Sequence, residues 1–347
     1  MGTEDSDECA DIRDRAGNCA DLAGNLPMSA GGPAKPVVLV TEGSDPVPLA
    51  WLKERANVIE QAQTDPGFEQ VLAAADGMIV RTYTKVTEAV LTKAPRLKVV
   101  GRGGVGLENI DVPACRRRGI QVVYTPDANT LAVGDYVFGA MLRLIRGWPT
   151  LAPGYQPVQF RVARNATRGK QLDELTLGIL GFGRVGKRVG SIAANGFGMR
   201  VLFNDLIEPG ALPFAATSVD KQTLYRESDV LTLHVDMRRG NENLVGRSEI
   251  SMLKPGSILL NASRGEVLDT HAVADALATG HLAAAAIDVF APEPPPANLE
   301  LIGMHNVLLT PHIASRTDTA TENMGWVVRD IMAVLEGKPP KYPAPTL

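Results

Sequence analysis

A chain of 347 residues exceeds what one ordinary hydrophobic core organises, so two domains are expected. With 45% hydrophobic and 21% charged residues, the composition is that of a soluble globular protein. A net charge of −4 gives no general attraction for nucleic acid or anionic membrane, and Cys9, Cys19 and Cys115 match no metal-ligand spacing and suit reduced thiols.

At the N-terminus, Glu4, Asp5, Asp7 and Glu8 stand where a signal peptide carries positive charge, and no apolar run along the chain reaches bilayer length. A cytoplasmic protein is expected, without metal and with neither nucleic acid nor membrane as partner. Residues 1–35 are rich in Asp, Gly, Ala and Asn and read as a disordered tail, either a docking segment or a dispensable extension. Order begins at Pro36, and short apolar strands follow at 37–40, 77–80, 97–100, 120–123, 177–180, 201–203, 230–233, 257–260 and 307–309. Apolar strands separated by helical stretches mean parallel sheets buried on both faces, too many strands for one small sheet and enough for two α/β domains. Over 131–146, Tyr136, Val137, Ala140, Met141, Leu144 and Ile145 form a wide helical stripe that belongs in a core or a dimer interface. A last helix places Met324, Val327, Val328, Ile331 and Leu335 on one face and stops at Gly337, with Pro339 beyond. It has to dock, most simply on the first domain.

The pattern G-x-G-x-x-G occurs twice, at Gly101, Gly103, Gly106 and at Gly181, Gly183, Gly186. A dinucleotide site needs a strand, a tight glycine turn, a helix whose first amides face the pyrophosphate, and an acid closing the next strand. The second copy meets all four demands: a helix continues over 187–194, Gly196 and Gly198 end it, and Asp205 follows about twenty residues on. A carboxylate there accepts from the ribose 2′-hydroxyl and repels a 2′-phosphate, which favours NAD over NADP. The first copy leads only into a short charged helix with Pro113 and Arg116-Arg117-Arg118. It reads as a loop offering backbone amides to a small anion, or as a mere tight turn.

Four dense patches follow the second copy: His234-Val235-Asp236; Lys254-Pro255-Gly256 leading to Asn261-Ala262-Ser263-Arg264-Gly265; Asp288-Val289-Phe290-Ala291-Pro292-Glu293-Pro294; and Thr310-Pro311-His312-Ile313. Several close predicted strands, the edge where open α/β sheets bind ligands. The last three, with Gly101-Arg102-Gly103-Gly104-Val105-Gly106, Asn109-Ile110-Asp111, Thr125-Pro126 and Asn129-Thr130, make the chain from about 37 to 340 resemble the D-isomer-specific 2-hydroxyacid dehydrogenases, whose relatives include phosphoglycerate and glycerate dehydrogenases.

The resemblance implies two doubly wound parallel-sheet domains: a flavodoxin-like substrate domain over 36–127, completed by residues 313–347, and a Rossmann NAD-binding domain inserted at 128–312. It implies a hydride transfer between NAD(H) and a small 2-hydroxy or 2-oxo acid, of phosphoglycerate, glycerate or glyoxylate type, in a homodimer. His312 is the implied acid/base, Glu293 the partner that fixes its ring, and Arg264 the group that holds the substrate carboxylate and polarises its carbonyl. The amides of Val105 and Gly106 hold that carboxylate, and Arg81 and Arg102 either meet a second anionic group or lie at the surface. Arg184, Val185, Val235, Ala262, Ser263 and Ser315, with Arg264 and His312, are implied to line the cofactor, and Asp288 to face the nicotinamide carboxamide. His234 reads as structural.

There are departures. His234-Val235-Asp236-Met237 stands where relatives commonly have His-x-Pro-Leu, so Asp236, followed by Arg238 and Arg239, puts a charge where a proline stiffens the loop. Gly134-Asp135 replaces the usual Ala-Glu. No room is left after the last helix for the regulatory domain of some phosphoglycerate dehydrogenases, so such feedback control is not expected. Two other readings stay open: an NAD-sensing, corepressor-like binding protein with incidental turnover, and a formate- or phosphite-type dehydrogenase.

Overall fold

The computed structural model describes residues 34–147, 153–238 and 240–345. The tail expected over 1–35 therefore lies, but for Ala34 and Lys35, outside the described residues, as do the thiols of Cys9 and Cys19, and Arg239. Among the described residues no helix is long and apolar enough to cross a membrane.

Five short strands, β1 (Val37–Val40), β2 (Asn57–Glu60), β3 (Gly77–Val80), β4 (Val99–Arg102) and β5 (Gln121–Tyr124), form a parallel sheet in the order β2-β1-β3-β4-β5. That is the flavodoxin order. Seven more, β6 (Thr176–Leu180), β7 (Arg200–Asn204), β8 (Thr217–Ser218), β9 (Val230–Leu233), β10 (Ser257–Asn261), β11 (Leu282–Ile287) and β12 (Val307–Leu309), form a second parallel sheet in the order β12-β11-β10-β9-β6-β7-β8. Its order reverses between β6 and β9, as in a dinucleotide-binding sheet with one extra strand. Both faces of each sheet are covered by apolar side chains, so the strands read as near-continuous Val, Ile and Leu.

The Asp318–Gly325 and Val328–Leu335 helices correct the expected single last helix. The first lies on the Pro46–Lys53 helix, where Gly325 comes so close that a Cβ would fall 2.5 Å from Pro48 Cγ. The second lies across β3, β4 and β5, so the chain turns at Trp326–Val327 to serve two surfaces. Val327, Val328, Ile331 and Met332 are buried there against Val38, Val40, Ile79, Val99 and Val123.

Other expectations shift. β4 starts two residues after 97 and ends at Arg102, so Gly101 of the first glycine pattern is a strand residue rather than part of a turn. A Cβ on Gly101 would meet Ile331 Cδ1 at 2.7 Å, so the glycine makes room for the closing helix. The helix after the second pattern begins at Arg184 and runs to Phe197, with Gly196 inside it; Gly198, at φ 66°, alone caps it, in the left-handed form that suits glycine. Pro113 sits in the first turn of the Val112–Arg117 helix, after the Asp111 cap, where its missing N–H costs nothing. The arginine run is structural: Arg117 and Arg118 pair with Glu88, and Arg116 donates to the carbonyls of Ala344 and Pro345.

Candidate active site

The carboxyl ends of β10, β11 and β12 deliver Arg264, Asp288 and His312 to one edge, facing the loop that leaves β4. A cavity of about 1420 Å³ opens there, lined by Arg81, Arg102, Val105, Gly106, Arg264, Glu293, His312 and Ser315 among others.

His312 Nδ1 lies 2.9 Å from Glu293 Oε2, and Glu293 Oε1 accepts from the Phe290 amide at 3.0 Å. Glu293 is thus held from both sides, and the imidazole is oriented with Nε2 left for the cavity. His312 has φ 53°, unusual for a residue with a Cβ. The Asp288 carboxylate enforces it: it accepts from Thr310 Oγ1 at 2.6 Å and from the Ile313 and Ala314 amides at 2.8 Å each, while the His312 amide donates to the Asp288 carbonyl. Burial pushes the Asp288 carboxyl up, against the pull of those donors. Asp288, the residue expected to face the nicotinamide carboxamide, is fully buried, and its carboxylate organises the loop that carries His312.

Sequence reasoning missed one member of this network. The Tyr136 hydroxyl lies 2.6 Å from Thr310 Oγ1. Because Thr310 spends its proton on Asp288, Tyr136 is the donor, and it braces the loop from the Thr130–Arg146 helix. In the sequence it was one aromatic residue in an apolar stripe, with no sign that its hydroxyl was engaged.

Arg264 stands on a turn built by Asn261, whose Oδ1 accepts from the Ser263 amide and hydroxyl and whose Nδ2 donates to the Arg264 carbonyl. A Cβ on Gly265 would fall 2.2 Å from the Phe290 carbonyl oxygen, so only glycine lets this turn lie against the loop of Glu293. Across the cavity, Arg102 is half-buried, not a surface group. Its Nε donates to the Gly106 carbonyl at 3.1 Å and its Nη1 to the Gly103 carbonyl at 3.0 Å, and burial holds its guanidinium down to about 10. Arg102 therefore clamps the glycine loop from behind. Arg81 lines the cavity on a loop whose four successive amides, Arg81 to Thr84, all donate to the Glu42 carboxylate. Burial pushes Glu42 up, but the hydrogen bonds from Thr84, Tyr83 and Arg81 outweigh it and hold the group below the usual carboxylate range. Asn109 ties this loop to the glycine loop by donating to the Arg81 and Thr84 carbonyls.

The second glycine pattern has the shape a dinucleotide needs. Gly181 has φ 91°, and a Cβ there would strike the His234 carbonyl at 2.6–2.7 Å. A Cβ on Gly186 would fall 2.2 Å from the Gly181 carbonyl oxygen, which fixes the helix start on the turn, whereas Gly183 faces open space. The Asp205 carboxylate follows β7 and accepts from the Phe182 and Ile207 amides, one on each oxygen, so both oxygens keep a lone pair. Arg184 pairs with Asp127, and Val185 lies half-buried beside it. Val235 and Ala262 are half-buried and Ser263 is buried at the ends of β9 and β10. Asp236, the odd charge in this region, is taken up in a two-point bond by Arg238 at 2.7 and 2.6 Å. That bond, with Asp205 adding, holds the Arg238 guanidinium above its usual range.

Residues 138–314 match the family described as "D-isomer specific 2-hydroxyacid dehydrogenase, NAD binding domain". The hydroxypyruvate reductase of Thermotoga maritima is 33% identical over 280 residues, covering 80% of this chain and 90% of that protein. This chain belongs to the D-isomer specific 2-hydroxyacid dehydrogenase family. The D-3-phosphoglycerate dehydrogenase of Synechocystis sp. is another relative, 33% identical over 306 residues, 87% of this chain and 54% of that protein. The chain spans between 54% and 65% of the length of the phosphoglycerate dehydrogenases it matches. Among solved structures, a D-lactate dehydrogenase from Aquifex aeolicus, complexed with NAD and lactic acid, superposes with a TM-score of 0.74 at 28% identity, over 87% of this chain and 96% of that one. Within the family fold, the sheet β6–β12 is the matched NAD-binding part, and its glycine turn fits that cofactor.

Proposed function

We propose that the chain is an NAD-dependent D-2-hydroxyacid dehydrogenase that interconverts a small 2-oxo acid and its 2-hydroxy acid. The observation that carries this reading is the His312–Glu293 pair sharing one cavity with the Arg264 fork and the Gly103–Gly106 loop. NAD, when bound, supplies or accepts the hydride. In the reducing direction His312 Nε2 gives its proton to the substrate carbonyl oxygen, and in the oxidising direction it takes the hydroxyl proton back. The Glu293 carboxylate on Nδ1 fixes the ring and stabilises the imidazolium. Arg264 and the Val105 and Gly106 amides hold the substrate carboxylate, and the positive fork draws electrons from the carbonyl. Gly181, Gly183, Arg184, Val185 and Gly186 take the pyrophosphate and Asp205 the adenine ribose.

One observation favours a substrate with a second anionic group. Arg81 and Arg316 both line the cavity, and after burial, the Arg316 charge lowers the Arg81 pKa further. Two like charges facing one cavity suit a phosphate or second carboxylate at the far end of the acid. The homodimer is part of the same proposal. None of the ten residues of the Pro157–Ala166 helix is buried, and it exposes Val158, Phe160 and Val162. A helix that short needs a packing partner, and a second copy supplies one.

The test is NADH oxidation against glyoxylate, hydroxypyruvate, phosphohydroxypyruvate and pyruvate, beside H312A. Turnover on one of them that falls about 10²–10⁴-fold in H312A is expected for a lost general acid. Turnover that survives H312A rejects the assigned proton donor. Silence on all four with NADH still bound favours the sensor or a formate-type donor.

A further inference from the structure

Every nitrogen of the Arg264 guanidinium already has a partner. Nε and Nη2 donate to the two oxygens of Glu108 at 2.9 and 3.4 Å, and Nη1 donates to the Ser263 carbonyl at 2.7 Å. Glu108 lies 156 residues away, on the loop that leaves β4, so the pair joins the loops of the two sheets across the cavity. A Cβ built on Gly106 would fall 2.1 Å from Arg264 Nη2 and 2.2 Å from Glu108 Oε2. The ion pair therefore fills the space directly over the Gly106 backbone. That is where a carboxylate shared between the loop amides and the arginine fork has to sit.

We propose that Glu108 is the resident carboxylate of the Arg264 seat, which a substrate carboxylate must displace, and that it thereby sets the affinity and selectivity of the site for acids. The inference rests on the dehydrogenase reading above. Displacement swaps one carboxylate for another on the same fork, so the number of charge-assisted bonds to Arg264 hardly changes. A bare monocarboxylate gains little from the exchange. An acid with further contacts along the cavity gains more, and so is selected. The Glu108 side chain is 38% exposed and has solvent to move into.

The experiment follows Arg264 itself. Full-length wild type, E108Q, E108A and E108D are treated with phenylglyoxal, and the adduct on the Arg264 peptide is followed by mass spectrometry, with and without oxamate as a 2-oxo acid analogue. Faster labelling is expected in E108Q and E108A, near wild-type labelling in E108D, and protection by about 2- to 10-fold less oxamate in the uncharged variants, because the seat is vacant more of the time. Equal labelling rates and equal protection overturn the proposal. So does a need for more oxamate in E108Q, which would make Glu108 a residue that orients Arg264 for its ligand. Faster labelling with no protection by oxamate in any form removes the oxo-acid reading of the cavity, and the stand-in role with it.

Discussion

His234 closes β9 with its ring half-buried and Nε2 3.0 Å from Thr232 Oγ1, and burial pushes its pKa from the usual 6.5 down to about 4. Between those values the unfolded chain binds a proton that the folded protein does not. Stability from this residue is therefore complete above pH 6.5 and is lost as the pH falls toward 4, by about 2–3 kcal/mol. Melting temperatures of wild type and H234Q between pH 7 and 5 check this: the wild type drops more steeply, and parallel curves would show that the ring is not a neutral buried group. At this scale the sequence was informative where residues end strands. Arg264, Asp288 and His312 were legible as residues of one edge because parallel strands bring their carboxyl ends together. Glu108 was not, because its meaning comes from a contact across 156 residues. Asp236 looked like a disturbance, and only the fold shows its charge paired with Arg238 two residues on.

Among the elements, those bounded by Gly or Pro and filled with β-branched residues were readable, and β11 was not. Its sequence, Leu-Ala-Ala-Ala-Ala-Ile, has a helix former at most positions, yet it lies between β10 and β12 with five of six residues buried. Alanine is there because helices cover both faces closely, a tertiary demand that overrides propensity. β2 and β8 were overlooked for the opposite reason: as edge strands they are short and partly polar. The Val328–Leu335 helix was read from its stripe, but the turn that separates it from Asp318–Gly325 was not, since both halves keep the same apolar spacing. Ile331 is the anchor of that helix, fully buried and seated in the gap over Gly101. I331A is expected to lose about 2–5 kcal/mol in urea unfolding, because the gap left over a glycine has no side chain to collapse into it. A loss under about 1 kcal/mol would mean the helix is a loose cover and not part of the core.

At the level of the whole molecule, two ion pairs join the segment of β1–β5 to that of β6–β12 among the described residues: Arg184–Asp127 and Arg264–Glu108. Both are substantially exposed, so each contributes only about 0–1 kcal/mol, and they do not hold the cavity shut. The unburied Pro157–Ala166 helix matters more to the assembly, if a second copy covers it. Sedimentation at micromolar concentration should give twice the chain mass, and F160E with V162E should give the single mass; a wild type that sediments as one chain would reject the dimer. The closing helices carry a further consequence, for synthesis. Strands β6–β12 are continuous in sequence and can assemble as soon as they leave the ribosome, whereas one face of β1–β5 is covered in part, over β3, β4 and β5, by residues made after them. The first sheet to be translated is thus the last to be finished. Until Val328–Leu335 emerges, Ile79, Val99 and Val123 lack the helix that lies across them, and in that interval the nascent chain is the species that a chaperone, or an aggregate, would meet.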